Sequence, residues 1–345
     1  MKTSRLVRIQ PCVRAGSSYQ GADMEYRKLA GTDLDVSRVV LGTMTFGSQV
    51  DDRVAKQMVD LSIESGVNML DTANAYNNGD SERMLARAIK GRRDEVLIAT
   101  KVFNPMGEDP EDKGLSRPAV DRAIDASLDR LETDHVDLYY LHQPDHEVPL
   151  EESLGAMNDL VASGKVRYIG LSNYAAWQHV EALWLCERNG WQMAKVSQPL
   201  LNLLSRRIEE EYAACSNTFG FSDIVYNPLA GGLLTGKYRP ESTPEVGTRF
   251  TMSMYRERYW NEDQFDAVDR LQKIAADEGV SLIELSYRWL LAHPLTDHVL
   301  LGASSIEHLE ANLAACDGTR PQAHTLERCD EVWEVLRGAA PAYNR

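Results

Sequence analysis

Polar side chains close three apolar runs of the sequence. Asp71 ends "VNMLD" (67–71), Lys101 ends "VLIATK" (96–101) and His142 ends "VDLYYLH" (136–142). Tyr76 follows Asp71 five residues on, inside the polar stretch "NAYNNGDSE". A carboxylate, a phenol, an ammonium and an imidazole brought together can hold and move a proton. Taken singly, each has a plainer reading. Asp71 could be a capping or salt-bridged acid, Lys101 a solvated lysine, His142 a hydrogen-bonded core histidine and Tyr76 a packing residue. What carries weight is that they stand at or just past successive strand ends.

The elements that would position them alternate regularly. Eight short apolar runs read as strands: 39–42, 67–71, 96–101, 136–142, 166–172, 194–198, 223–227 and 298–302. Near-continuous apolar strands suit a parallel sheet buried on both faces. Helical patterns lie between them. One opens at Asp51-Asp52 and stops at Gly66, a suitable C′ glycine. Another has Ser116 as N-cap and Pro118 in its first turn. Ser81 is the expected cap of the helix after "NNGD". Eight strand–helix units predict an α/β chain closed as a (β/α)₈ TIM barrel, whose chemistry sits at the C-terminal ends of the strands. Three additions decorate it: an N-terminal β-hairpin at 25–37, a long loop after strand 7 (about 229 to 262) and an extra C-terminal helix at 325–338. No composition break divides the chain, so one domain is expected over 24–345, preceded by a disordered tail at 1–23.

Composition excludes several classes. The net charge is -15 over 345 residues, which argues against non-specific nucleic-acid binding. No apolar run approaches the ~20 residues of a membrane helix, and residues 1–23 lack the apolar core of a secretory signal. The five cysteines (Cys12, Cys186, Cys215, Cys316, Cys329) are scattered and odd in number, which suits reduced thiols in a cytoplasmic protein. The strand ends carry one acid and one histidine among Lys, Ser, Asn and Gln, too few ligands for a metal-dependent enzyme.

The ordered motifs "GTMTFG" (42–47), "LDTANAY" (70–76), "GDSERMLARAIKGRRDEVLIATK" (79–101), "DLYYLHQPD" (137–145), "GKVRYIGLSNY" (164–174), "YNPLAGGLLTGKY" (226–238) and "GASSIEHLEANL" (302–313) resemble the aldo-keto reductase superfamily over roughly residues 25–320. The resemblance is to a bacterial-type member of the branch that includes potassium-channel β subunits and aflatoxin aldehyde reductases. It implies a catalytic tetrad of Asp71, Tyr76, Lys101 and His142 and a nicotinamide cofactor. Reduction of a carbonyl needs a hydride on carbon and a proton on oxygen. Tyr76 would give the proton. Its free pKa is ~10, and Lys101 is expected to lower it. Asp71 would hold Lys101 as its counter-charge, and His142 would donate to the substrate oxygen.

The same resemblance implies a cofactor lying across the barrel rim. Gly42, Thr43, Met44 and Asp71 would border it. Ser172, Asn173 and Gln198 would meet the carboxamide, and Tyr226 would stack on the ring. Asn227, Pro228, Leu229, Gly231, Lys237 and Arg249 belong to the loop expected over the pyrophosphate. Gly302, Ser304, His308 and Asn312 would take the adenine end, beside a helix N-terminus. "GGLLTGKY" nearly matches a phosphate-binding Walker loop, but Tyr238 stands where Ser or Thr must ligate Mg²⁺. No Gly-x-Gly-x-x-Gly fingerprint supports a Rossmann domain. NADPH/NADP⁺ is the expected cofactor, with NADH as the alternative. His308 stands where NADPH-preferring members often carry Arg or Gln, and Ala311 where they often carry an acid. Phe46, Phe103, Tyr259 and Trp260, with Met44 and Tyr255, are the expected lining or cover of the substrate mouth. The expected partner is a small carbonyl compound, an aldehyde, ketone or sugar, without nucleic acid or membrane; a homo-oligomer is left open. The alternative function is a catalytically weak NADPH-binding regulatory subunit like the potassium-channel β subunits.

Overall fold

The structure is a computed structural model that describes residues 24–244 and 247–340. The tail expected at 1–23, with Cys12, lies outside the described residues. Strands β1 (Tyr26–Lys28) and β2 (Asp35–Ser37) pair antiparallel as the expected hairpin. Eight parallel strands then close into a barrel: β3 (Val39–Gly42), β4 (Met69–Asp71), β5 (Leu97–Val102), β6 (Val136–Leu141), β7 (Val166–Ser172), β8 (Val196–Gln198), β9 (Ser222–Val225) and β10 (His298–Gly302), with β10 pairing back to β3. The surrounding helices are α1 (Asp52–Glu64), α2 (Asp80–Ala88), α3 (Arg117–Leu131), α4 (Leu150–Ala162), α5 (Ala176–Asn189), α6 (Tyr212–Phe219), α7 (Ser253–Tyr259), α8 (Glu262–Asp277), α9 (Leu282–Ala292), α10 (Ile306–Ala315) and α11 (Ala323–Arg337). Helix α11 begins two residues before the predicted start. No helix among the described residues is long and apolar enough to cross a membrane.

Strand periodicity and register place the polar residues. Side chains alternate across a strand. Met69, Ala99, Leu138, Tyr140, Val196 and Ile224 cluster inside the barrel, where Leu29, Leu34 and Val36 of the hairpin segment join them and plug the lower end. Two residues beyond Met69 comes Asp71, two beyond Ala99 comes Lys101, and two beyond Tyr140 comes His142, all on the inward phase. The pairing steps upward around the barrel: Asp71 lies opposite Ala99, and Lys101 opposite Tyr140. Each functional side chain therefore stands one inward position above its neighbour's partner. Gly170 on β7 faces Tyr140, and a Cβ there would lie 2.5 Å from the ring. Only a glycine leaves room for that buried tyrosine under the site.

Helix termini follow their chemistry. Asp51 caps α1 by accepting from the Val54 N–H at 2.8 Å, and Gly66 (φ 86°) ends that segment. Ser81 departs from expectation. The helix starts at Asp80, and Ser81 is buried within it. Its hydroxyl bonds the Thr43 carbonyl at 2.8 Å and lies 2.8 and 3.0 Å from the hydroxyls of Thr43 and Thr72. Tying together the ends of β3 and β4 satisfies three buried polar groups, which capping an exposed turn would not.

The outward face of β5 is anchored by charge. Thr100, next to Lys101, donates to the fully buried Glu82 of α2 at 2.6 Å, and Arg130 of α3 donates to the other carboxylate oxygen at 2.6 Å. Glu82→Gln keeps the shape but leaves Arg130 without its counter-charge. Removing one partner of such a pair is expected to cost about 3 kcal/mol, read as a lowered denaturant midpoint. Adding Arg130→Met should recover part of the loss.

Candidate active site

Lys101 is wholly buried and its ammonium is surrounded by acceptors. It pairs with the Asp71 carboxylate, donates to the Thr72 carbonyl at 2.7 Å and lies 3.4 Å from the Tyr76 hydroxyl. The second Asp71 oxygen accepts from Gln198 Nε2 at 2.9 Å. Burial works against the Lys101 charge, yet Asp71 and Tyr76 outweigh it and hold the ammonium above its ordinary value. Tyr76 is half-buried, in a turn where Asn77 and Asn78 take left-handed conformations (φ 50° and 54°). Asn77 Nδ2 donates to the carbonyls of Met44 and Phe46 at 3.0 and 2.6 Å, which fixes that turn against the end of β3.

The phenol departs from expectation. Burial pushes Tyr76 above its ordinary value; Lys101 pulls it down, Asp71 pushes it up, and the net direction is upward. Tyr76 therefore holds its proton at neutral pH. His142 stands edge-on to Tyr76, with ring centroids 5.9 Å apart. Burial and then the Lys101 charge push its pKa down to about 3, so the ring is neutral. Its Nδ1 lies 3.3 Å from Asn104 Nδ2. A protonated phenol, a neutral imidazole and a fixed ammonium around one point can receive an oxygen that gains negative charge.

The sequence matches the model of the Aldo/keto reductase family over residues 38–334. The chain belongs to this family. It is 38% identical over 325 residues to the rat (Rattus norvegicus) aflatoxin B1 aldehyde reductase member 2, covering 89% of this chain and 87% of that one. It is 36% identical over 324 residues to the human (Homo sapiens) aldo-keto reductase family 7 member A3, covering 89% and 96%. It is also 35% identical over 302 residues to a probable voltage-gated potassium channel subunit beta of rice (Oryza sativa subsp. japonica), covering 85% and 92%. The protein is an NAD(P)H-dependent oxidoreductase.

The remaining rim residues of this aldo/keto reductase sort into two groups. One group presents polar atoms at the strand ends. Asn173 (φ 62°) is exposed; its amide donates to the His142 carbonyl at 2.9 Å and to Ser172 Oγ at 3.1 Å, and its oxygen accepts from the Tyr226 hydroxyl at 2.6 Å. Tyr226 is thereby pinned at the rim. Arg249 bonds the Tyr255 hydroxyl at 2.9 Å, and its guanidinium lies 3.5 Å from where a Gly302 Cβ would stand. Ser304 Oγ lies 3.0 Å from His308 Nδ1, and Asn312 donates to the Gly302 carbonyl at 3.2 Å. Lys237 is exposed, and neither it nor Arg249 has a carboxylate partner among the described residues.

This donor set fits a nicotinamide dinucleotide. The Ser172 hydroxyl, bonded here to the Gln198 carbonyl at 3.0 Å, and the Asn173 amide are groups of the kind a primary carboxamide pairs with, and two cations without a carboxylate partner among the described residues, with the glycine-rich turns of Gly231 and Gly236, suit a pyrophosphate. Gln198 fits less directly than expected, because its amide nitrogen already serves Asp71.

A second group faces inward and corrects the expectations. The Thr43 hydroxyl is buried against the Asp71 carbonyl (3.1 Å) and Ser81, so it braces β3 against β4. Asn227 (φ 62°) accepts from the Gly231 N–H at 2.6 Å and donates to the Tyr259 hydroxyl at 2.9 Å, shaping the loop. Phe46 and Tyr259 do not line the mouth. Both are fully buried, Phe46 because the chain turns back at Thr43, Tyr259 because its hydroxyl is held by Asn202 and Asn227. Tyr255 is likewise buried. Met44, Phe103 and Trp260 are half-buried, Trp260 edge-on to Tyr238, Phe250 and Phe265. Thr72, Asn104 and Asn202 were not expected at all. Their contacts run through backbone carbonyls and loop amides, for which no spacing rule exists.

His142 gives a titration test. Its ordinary pKa of ~6.5 applies to the unfolded chain and about 3 to the folded one. The unfolded chain binds the extra proton between these values. The associated stability is full above pH ~6.5 and is lost as pH falls toward 3, by up to about 1.4 kcal/mol per pH unit. Nitrogen-15 NMR at pH 5.5 should show a neutral His142, and His142→Gln should flatten that part of the acid denaturation curve. An imidazolium signal at pH 5.5 would contradict the geometry.

Proposed function

We propose that the protein reduces an aldehyde or ketone, among them small sugar-like carbonyl compounds, to the alcohol with NADPH, and that Tyr76 is the proton donor. The observation that carries this reading is the Tyr76 hydroxyl set 3.4 Å from the buried Lys101 ammonium, which Asp71 keeps charged. When bound, the cofactor supplies the hydride. Ser172, Asn173 and Tyr226 hold its nicotinamide end at the rim, Lys237 and Arg249 face its phosphates, and Ser304, His308 and Asn312 meet its adenine end. His142 donates from its neutral ring to the carbonyl oxygen. As negative charge builds there, the Tyr76 proton moves onto it. Lys101 then stabilises the phenolate left behind, so its charge acts most strongly in the transition state.

Reduction of an aldehyde is also what the name of the rat aflatoxin B1 aldehyde reductase describes. The unpaired cysteines Cys186, Cys215, Cys316 and Cys329 suit the cytoplasm, where this reading places the protein. Similarity to the rice channel subunit favours a second reading, a nucleotide-binding subunit with little turnover. Steady-state rates with a panel of aldehydes separate the two: NADPH binding without NADPH consumption would select the second.

Tyr76→Phe keeps the ring and removes the proton. Turnover is expected to fall by at least about 100-fold, while NADPH binding, followed by fluorescence, stays within about twofold. Normal turnover would eliminate Tyr76 as the donor. On the cofactor side, Lys237 and Arg249 face the pyrophosphate that both cofactors share, so the preference for NADPH rests on the adenine end, where Ser304 and His308 would meet a 2′-phosphate. Titration should give tighter binding of NADPH than of NADH. Tighter NADH binding would overturn the preference.

A further inference from the structure

A neutral imidazole has one ring proton, and its place decides what the ring can do. For His142 to donate to a carbonyl oxygen, that proton must be on the nitrogen facing the substrate. Among the described residues a single side chain hydrogen-bonds the ring: Asn104 Nδ2, 3.3 Å from Nδ1. An amide NH₂ donates and cannot accept. With the amide nitrogen turned to the ring, Nδ1 is the acceptor and the proton goes to Nε2, the nitrogen that no described side chain engages.

We propose that Asn104 is a positioning residue that fixes His142 as its Nε2–H tautomer and so makes it a donor to the substrate oxygen. This rests on the reading of His142 given above. Asn104 is well placed for the task. It sits three residues after Lys101, in the loop that leaves β5, and His142 joins the same segment through its backbone N–H bond to the Val102 carbonyl at 3.0 Å. Behind it lies a small cavity of about 50 Å³ lined by Asn74, Asn104, Arg122 and Arg130, among others. Asn74 is buried there, and its side-chain oxygen has no hydrogen-bond partner among the described residues. Val102, Met106 and Ala119 line the rest of the cavity, and its volume has room for one or two ordered waters, which can satisfy both Asn74 and the far side of the Asn104 amide. The ring cannot escape by taking a second proton, because Lys101 and burial both oppose the imidazolium. A single amide hydrogen bond therefore decides between donor and non-donor.

The test compares the full chain with Asn104→Asp, which keeps the shape but offers an acceptor to Nδ1. Nitrogen-15 NMR of the histidine rings at pH 8 should show the wild-type His142 protonated on Nε2, and the variant with a proton on Nδ1. In the variant kcat should fall by about 100-fold, the size of losing one donor to a developing oxyanion, with NADPH affinity and thermal midpoint nearly unchanged. Asn104→Ala, which frees the ring to populate both tautomers, should fall between. A wild-type ring protonated on Nδ1, or a variant spectrum identical to wild type, overturns the assignment. A variant whose tautomer switches while kcat stays normal overturns the positioning role. His142→Ala is measured alongside: full activity there would defeat the reading of His142 itself, independently of what the spectra say about Asn104.

Discussion

A lysine ammonium with no access to water must have its charge balanced nearby, and this barrel supplies the balance at Asp71. The pair is buried at the top of the barrel interior, where an isolated charge of either sign would be expelled or neutralised. Everything close to it can be read as support. Thr72 offers its carbonyl to Lys101 and Gln198 offers its amide to Asp71, so each remaining donor or acceptor of the pair is occupied. Thr43 and Ser81 brace the backbone that carries Asp71. Glu82 and Arg130 brace the strand that carries Lys101. Below, Tyr140 and the plug of Leu29, Leu34 and Val36 close the interior to water from the opposite end. Such a pair contributes little to net stability; its value is that a cation stays fixed beside a phenol.

Backbone strain is concentrated on the same rim. Asn77, Asn78, Asn173, Asn227 and Ala230 all have positive φ, and each lies in a loop at the C-terminal end of a barrel strand. Asparagine tolerates this conformation better than most residues because its side chain can bond the local backbone, and three of the four do so or reach a neighbouring strand: Asn77 to Met44 and Phe46, Asn173 to His142, Asn227 to Gly231. The remaining positive-φ non-glycine among the described residues, Glu132, is an ordinary helix end. Strain of this kind persists where surrounding contacts over-determine it. Here the contacts are the ones that aim Tyr76, Asn173 and the loop that begins at Asn227.

That Asp71, Lys101 and His142 meet was legible because alternation in a strand is strict. All three fall on the inward phase, and a parallel barrel brings inward residues at strand tops together whatever the loops do. Phe46 and Tyr259 were misplaced because a loop has no such period. An aromatic in a rim loop can face the mouth or fold back, and the hydrogen bonds that decide this, Asn77 to the Phe46 carbonyl and Asn202 to the Tyr259 hydroxyl, join residues far apart in sequence. Ser81 shows the same conflict on a smaller scale. Its position before an apolar run suits a cap, but two buried threonine hydroxyls nearby needed a partner more. Asn104 left no trace in the sequence at all, since one asparagine in a loop is unremarkable until the ring it touches is known.

The protonation states at rest also bear on the proton transfer. Lowering of the Tyr76 pKa by Lys101 is the obvious use of an ammonium beside a phenol, yet in the free chain burial and Asp71 more than cancel it. The phenol can still protonate an alkoxide, which is far more basic than any tyrosinate. The resting site therefore holds two neutral donors and one fixed cation, the set that a carbonyl oxygen requires as it becomes negative. Running the chemistry backwards would need Tyr76 as a phenolate before substrate arrives, against burial and against the Asp71 charge. The carboxylate that balances the lysine thus also acts on the phenol, and with burial it keeps the Tyr76 proton in place at rest.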